Sequence, residues 1–495
     1  MKKFISGSSN YGKLILLIGL LVAVPLAVVP FYPEQSRYAL SFLLPSLISV
    51  VLGGTVCVYA PRKKKPVTEW ESPLQTGSLP VLTAWCFAFL AGAVPFMIGD
   101  QLNPLLAVFE SVSGWTSTGM TVADVTAMPR IFLFHRAFMQ YCGGLGFMIM
   151  IAMLVQSKQA MNLYNAEGHP DRIAPSLKKT SQIIFLLYSC FLFAGSLIYR
   201  IFGMELFDAV CHAMAALSTA GFTTRENSIG QYNSLPLEIV TVALMLVGST
   251  NFAVLLLLVK GKFGKIFRVS EVRFMMGLIC VFVPLTAFSF MIEIKMGLGE
   301  SFMKSLFGIV AIFTTTGYST MDYALWPPFA SGLLILLMII GGSAGSTSGG
   351  IKLLRAYLLI RITKENIKNR IFPARRITAP AYYQVQGKKL IDNALINETL
   401  GFIACYMGVF IAGTLLLTLT ANCSLFDAMF EFASAFGTVG ISNGLTNAGA
   451  SAGSLLVLMA GMILGRLEMF IVFIGIYTAI HLLRRRIKSG MKRHP

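Results

Sequence analysis

Apolar runs of about 20 residues, the length that spans a hydrocarbon core of roughly 30 Å, alternate with short polar connections from Leu14 to Leu483. The pattern predicts ten membrane-crossing helices. Two come first, about Lys13 to Phe31 and Tyr38 to Tyr59. The remaining eight fall into pairs: Ser78 to Ile98 with Pro129 to Val155, Thr180 to Phe202 with Leu235 to Val259, Phe274 to Gly297 with Pro327 to Ile362, and Ile396 to Thr420 with Leu455 to Leu482. Between the members of each pair lies an apolar segment of about 12 residues, too brief to cross, that ends in a cluster of hydroxyl residues and glycine.

Those clusters repeat. "TSTGMT" surrounds Gly119, "STAGFTT" Gly221, "TTTGYST" Gly317 and "GTVGIS" Gly440, with the glycines 102, 96 and 123 residues apart. Nine residues before each glycine stand Glu110, His212, Gly308 and Glu431, and "LFDAV" at Leu206 is nearly repeated by "LFDAM" at Leu425. An internal repeat is the reading: span, short helix, turn, span. It divides the chain into two N-terminal helices (1–72), repeat one (73–165), repeat two (166–265), repeat three with a cytoplasmic linker (266–390) and repeat four with a basic tail (391–495). Asp208 and Asp427 put a carboxylate in the first turn of their short helices, where a helix N-terminus favours one.

Composition agrees: 55% of the 495 residues are hydrophobic, 13% are charged, and mean hydropathy is +0.71, far from a soluble domain. The net charge of +18 does not indicate nucleic acid, because the cations are spread over short connections. Arg62 to Lys65, Lys158 to Lys179, Lys260 to Arg273, Arg355 to Lys389 and Arg484 to Arg493 occupy alternate loops. By the positive-inside rule these loops and both termini are cytoplasmic, and all four Gly/Thr turns lie on the outer side. The basic start and apolar run at the N-terminus mimic a signal peptide, but no small-x-small site follows, so a retained span is expected. Eight dispersed cysteines without a C-x-x-C pair read as buried hydrophobes rather than disulfides or metal ligands.

Irregular backbone at membrane depth persists only where protein buries it or a watery cavity wets it. Four such turns around one axis meet that condition together, with carbonyls replacing the water shell of a dehydrated cation. Glycine supplies backbone angles that side-chained residues avoid. The candidate filter residues are Thr116, Ser117, Thr118 and Gly119; Ser218, Thr219, Ala220 and Gly221; Thr314, Thr315, Thr316 and Gly317; and Gly437, Thr438, Val439 and Gly440. Hydroxyls add oxygen ligands, while Met120, Phe222, Tyr318 and Ile441 pack outward. Uncharged oxygens suit a weakly hydrated monovalent ion better than Mg²⁺ or Ca²⁺.

"GGSAGSTSGG" interrupts the second span of repeat three, and five glycines with four hydroxyl residues in ten positions do not hold a helix. Gly341, Gly342, Ser343, Ala344, Gly345, Ser346, Thr347, Ser348, Gly349 and Gly350 are therefore expected to form a loop under the filter, a gate, with Lys352 just below it. Its G-x-x-x-x-G spacing is no phosphate loop, since Ile351 takes the lysine position and no strand precedes. Arg466, deep in the last span, is expected to face the pore as a positive barrier, because Glu468 two residues on does not share its helix face. Asn251 and Gln140 read as inter-helix hydrogen-bond partners. No carboxylate cluster, metal-spaced histidine set or G-x-S-x-G points to an enzyme.

With these segments, "GGLGF" (Gly143–Phe147), "LYNAE" (Leu163–Glu167), "GSTNF" (Gly248–Phe252), "GGSAGSTSGGIK" and "GRLE" (Gly465–Glu468), nearly the whole chain resembles the Trk/Ktr/HKT superfamily of potassium transporters, its TrkH/TrkG type in particular. The resemblance implies an all-α polytopic membrane protein with four span–pore-helix–filter–span repeats in pseudo-fourfold arrangement plus two extra N-terminal transmembrane helices. It implies K⁺ as the transported ion, a homodimer, and gating by a cytosolic TrkA-like ring that binds NAD or ATP, in a bacterial inner membrane. Asn162 to Lys179 and Arg355 to Lys389 are expected to dock that ring. The alternative activity is K⁺ symport coupled to H⁺ or Na⁺.

Overall fold

A computed structural model describes residues 10–59, 73–146, 177–371 and 380–491. "LYNAE", Phe147 and most of the Asn162–Lys179 stretch lie outside them. Two helices open the chain, α1 (Asn10–Ala23) and α2 (Ala39–Tyr59). They pack backbone to backbone: a Cβ on Gly53 would stand 2.6 Å from the Leu16 amide nitrogen, so small residues set the approach.

Repeat one comprises α3 (Pro73–Ile98), the short α4 (Pro104–Trp115) and α5 (Arg130–Leu145); repeat two comprises α6 (Leu177–Ile201), the short α7 (Leu206–Leu217), α8 (Leu235–Gly248) and α9 (Phe252–Val259). After a single turn α10 (Phe263–Ile266), repeat three has α11 (Ser270–Ser289), the short α12 (Leu298–Phe313), α13 (Pro328–Ile339) and α14 (Leu353–Ile371). A hairpin of β1 (Ala381–Gln384) and β2 (Gly387–Leu390) precedes repeat four, which is α15 (Asn393–Ala421), the short α16 (Leu425–Phe436), α17 (Ala452–Arg466) and α18 (Met469–Met491). The chain is a helical multi-pass membrane protein: among the described residues six helices are long and apolar enough to span unbroken, and two bent pairs pass the same test together.

The bent pairs correct the sequence reading. In the sequence Leu235 to Val259 and Leu455 to Leu482 each read as one long span, and the break is expected in the second span of repeat three. Instead the chain bends by 120° between α8 and α9 and by 104° between α17 and α18. At the first break, Thr250 Oγ1 donates to Leu246 O at 2.6 Å and Asn251 caps α9 by accepting from Ala253 N at 2.7 Å, satisfying both cut ends. At the second, Glu468 takes a left-handed φ of 55°. In repeat one, α5 stops at Gly146 with φ 85°, and the rest of the expected span to Val155 lies outside the described residues. Period alone misses such breaks, because the apolar pattern continues through them.

The short helices form the buried centre. From Ala107 to Trp115 on α4 and from Asp208 to Leu217 on α7, nearly every side chain is shielded, and α12 and α16 are alike over their last turns. Their shielded stretches are mostly apolar, and they sit inside the bundle.

Candidate functional site

Each short helix begins with a device that holds its first turn. Asn103 accepts from Leu106 N at 3.0 Å, Ser424 from Asp427 N at 3.1 Å, and Asp208, Glu300 and Asp427 occupy first turns, as N-terminal partial charge favours. Each ends in one motif. The fourth-last filter residues Thr116, Ser218, Thr314 and Gly437 cap the helices, and the next residues, Ser117, Thr219, Thr315 and Thr438, turn left-handed with φ of 52°, 51°, 59° and 53°. The following amides return to the helix: Thr118 N to Ser113 O at 2.9 Å, Ala220 N to Ala215 O at 3.0 Å, Thr316 N to Ala311 O at 2.8 Å, Val439 N to Ser434 O at 2.8 Å. This is a Schellman closure made four times. It spends amides on the helix and turns the filter backbone away from it.

The glycines then close a ring. A Cβ on Gly119 would lie 2.0 Å from Ala220 O, on Gly221 2.0 Å from Thr316 O, on Gly317 1.9 Å from Val439 O, and on Gly440 2.1 Å from Thr118 O. Each glycine thus backs onto the carbonyl that precedes the next glycine, in chain order, and the fourth meets the first. Their φ values of 98°, 71°, 74° and 93° independently require glycine. The sixteen sequence-selected residues stand together here, twelve of them buried and the four glycines half-buried.

Several hydroxyls have other work. Thr116, Ser218 and Thr314 donate to Val112, Met214 and Val310 carbonyls at 2.7, 2.8 and 2.7 Å, capping their helices. Thr118 and Thr316 contact Thr116 and Thr314 at 2.7 and 2.8 Å. The rear residues Met120, Phe222, Tyr318 and Ile441 are buried, with Tyr318 donating to His212 O at 3.0 Å. Gln140 on α5 brackets Gly221, donating to Ala220 O at 2.7 Å and accepting from Phe222 N at 3.1 Å. Its partner is the filter, which the sequence alone does not indicate.

The positions nine residues before each glycine explain their alignment. Glu110 accepts from Thr121 Oγ1 and Val122 N at 3.0 and 3.1 Å; Glu431 accepts from Ser442 Oγ, Asn443 N and Thr446. Each carboxylate grips the irregular segment that follows its glycine. Gly308 instead leaves room for Trp326, whose ring would stand 2.4 Å from a Cβ there. Arg136, overlooked in the sequence, completes the first clamp: it is 1% exposed, donates to Glu110 Oε1 at 2.6 Å, to Thr121 Oγ1 at 2.9 Å and to Thr223 O at 3.2 Å, and stacks 4.0 Å over Phe222. It ties repeat one to repeat two.

Residues 341–352 cross beneath the ring. A parallel bridge between Ile340 and Ile351 closes the neck of the loop. Thr347 Oγ1 donates to Gly248 O at 2.9 Å and meets Thr219 Oγ1 at 3.1 Å; Ser348 Oγ donates to Thr314 O at 3.0 Å; Gly349 N donates to Thr315 Oγ1 at 3.3 Å. A Cβ on Gly349 would be 2.1 Å from Thr438 Oγ1. The loop therefore touches the inner residues of three filter segments. Arg466 reaches Thr347 O, and Gly143 O and Gly144 O at 2.6 and 3.0 Å, bridging the loop to repeat one. Lys352 turns back to Ser348 O. Glu468 pairs with Arg355 at 3.2 Å. Asn251 donates to Ala344 O at 2.5 Å.

Such a ring offers oxygen dipoles without fixed charge, and the arrangement can hold a dehydrated monovalent cation. Among the described residues no group of three or more His, Cys, Asp or Glu is placed to bind a metal. The chain is similar over most of its length to known proteins. The family model described as TrkH, cation transport protein, matches residues 49–479. The Trk system potassium uptake protein TrkG of Escherichia coli is 30% identical over 94% of the chain and 96% of its own length. An uncharacterized cation transporter of Methanocaldococcus jannaschii is 29% identical over 99% of the chain and 98% of its own length. The crystal structure of the potassium transporter TrkH from Vibrio parahaemolyticus superposes with a TM-score of 0.80 at 26% identity, covering 94% of this chain and 98% of that one.

Proposed function

We propose, for a chain that belongs to the TrkH family of cation transport proteins, that it admits K⁺ to the cell through the four-segment ring and is gated by residues 341–352. The observation that carries this reading is the closed succession of glycine against neighbouring carbonyl at Gly119, Gly221, Gly317 and Gly440. A hydrated K⁺ entering from the outer side exchanges water for backbone oxygens fixed at the ring, so dehydration is compensated without a carboxylate. Weak, uncharged ligation lets the ion leave again. The potential contributes about 2.3 kcal/mol per charge per 100 mV to inward movement.

The loop at Thr347–Gly349 lies on the exit path, and its hydrogen bonds to Thr219, Thr314 and Thr315 keep that path closed. Arg466 adds a positive charge there that opposes cations until the loop and the arginine move together. A cytosolic nucleotide-binding ring, docked on the basic connections, supplies the work of moving them, and two copies of the chain form the assembly.

Flux of K⁺, Rb⁺, Na⁺ and Cs⁺ into liposomes holding the purified chain tests the reading. Gly317→Val and Gly440→Val are expected to abolish K⁺ flux, since each Cβ would overlap a ring carbonyl. Unchanged flux in both removes the filter assignment. A reversal potential that follows the K⁺ gradient alone identifies conduction, whereas a shift with H⁺ or Na⁺ identifies coupled transport.

A further inference from the structure

The loop 341–352 has no helix to satisfy its backbone, so each amide and carbonyl needs a named partner. Ala344 is held from both sides: its N–H donates to Glu271 Oε1 at 3.1 Å and its carbonyl accepts from Asn251 at 2.5 Å. Glu271 is a buried residue of the first turn of α11, at the end of the helix where the basic connections lie. Its neighbour Ser270 accepts from Tyr383 N of β1 at 3.0 Å. The hairpin tip residue Val385 packs on Val254, Ile266, Val269 and Val272 at the α9–α10–α11 junction. On its other side Tyr382 packs with Leu358 and Ile362 of α14, the helix that leaves the loop. The hairpin is thus wedged between the foot that carries Glu271 and the helix that continues the loop, while β2 exposes Lys388 and Lys389.

We propose that Glu271 is a positioning residue for the gate loop, and that the β1–β2 hairpin sets whether its carboxylate reaches Ala344. The inference rests on the gate reading of residues 341–352. A load on the exposed strand moves β1, and β1 moves Ser270 and α14 together, because it is bonded to one and packed on the other. Withdrawal of Glu271 leaves the Ala344 amide without its charge-assisted acceptor, and the seal at Thr347–Gly349 loses its anchor on that side.

The test uses the full chain in liposomes, with K⁺ flux and ion preference as readouts and hydrogen–deuterium exchange over Ala344 as a third. Glu271→Ala is expected to raise K⁺ flux about tenfold, the order set by one hydrogen bond to a charged group. Glu271→Gln, which keeps an acceptor, stays within about twofold of the parent. Val385→Asp, which unseats the hairpin tip without touching the loop, raises flux and speeds exchange at Ala344. Ion preference is unchanged in all three, separating a loosened gate from a damaged filter. Thr347→Ala serves as the control on the loop itself. If it raises flux while Glu271→Ala and Val385→Asp do not, the positioning role is overturned and the gate stands. If none raises flux, the gate reading fails and takes this inference with it. Should Glu271→Ala not assemble, Val385→Asp decides: unchanged flux and exchange overturn the proposal.

Discussion

Ser117, Thr219, Thr315 and Thr438 hold left-handed backbone without being glycine, at about 1–2 kcal/mol each relative to an unstrained position. Glycine would remove that cost, and on the proposed reading the hydroxyl at the inner end of the ring serves the ion. Ser117→Gly is therefore expected to leave the fold intact, with thermal stability equal or higher, while lowering the preference for K⁺ over Na⁺ in a liposome flux assay. The buried Glu110–Arg136 pair predicts the opposite balance. Arg136→Leu strands a buried carboxylate, costing about 3–5 kcal/mol, and is expected to lower the melting temperature sharply and to lose ion preference along with it. The sequence showed that Glu110 and Glu431 occupy matched positions, because spacing to a glycine is readable. It did not show Arg136 as their counterpart in repeat one, since that contact comes from another helix 26 residues away and no period connects them.

Among the elements, the short helices were legible and the broken spans only partly so. A 12-residue apolar segment cannot cross, and that limit alone identifies a re-entrant helix. The interruption in repeat three announces itself through glycine and serine. Those in repeats two and four do not, because "GSTN" and "RLE" carry no proline and the apolar period resumes at once. The glycines just before these two breaks, and Gly143 near the end of α5, have a packing reason: a Cβ on Gly143, Gly248 or Gly465 would stand 1.9, 2.5 or 2.0 Å from the last carbonyl of α4, α7 or α16. Gly465→Val is thus expected to displace the end of α16 and the filter above it, reducing K⁺ flux with the protein still inserted. Arg466→Ala, one residue on, is expected to raise flux instead, since it removes both the positive charge and the bridge from Thr347 to Gly143 and Gly144. Opposite signs at adjacent residues, measured in one flux assay, would separate filter support from barrier; a fall in both would refute the barrier role.

At the scale of the whole molecule, hydropathy gave the multi-pass architecture and spacing gave the repeat, but the way repeats hold one another emerged only in three dimensions. Gln140 of repeat one clasps the filter of repeat two, Arg136 does the same through Thr223, and Arg466 of repeat four reaches back to repeat one. These ties predict that Gln140→Leu disturbs one of the four ring segments only, visible as a modest change in Rb⁺ against K⁺ preference rather than loss of transport. The ring also passes through its four glycines in the order in which they are joined along one polypeptide. In an assembly of four identical chains every substitution is imposed four times and every loop must fit beside three copies of itself around the axis. Here a single codon changes one quadrant, so features that belong to one described repeat each, the loop 341–352, Arg466 and the Gln140 clasp, can coexist around one ring, and on the proposed reading ion preference is adjustable one segment at a time.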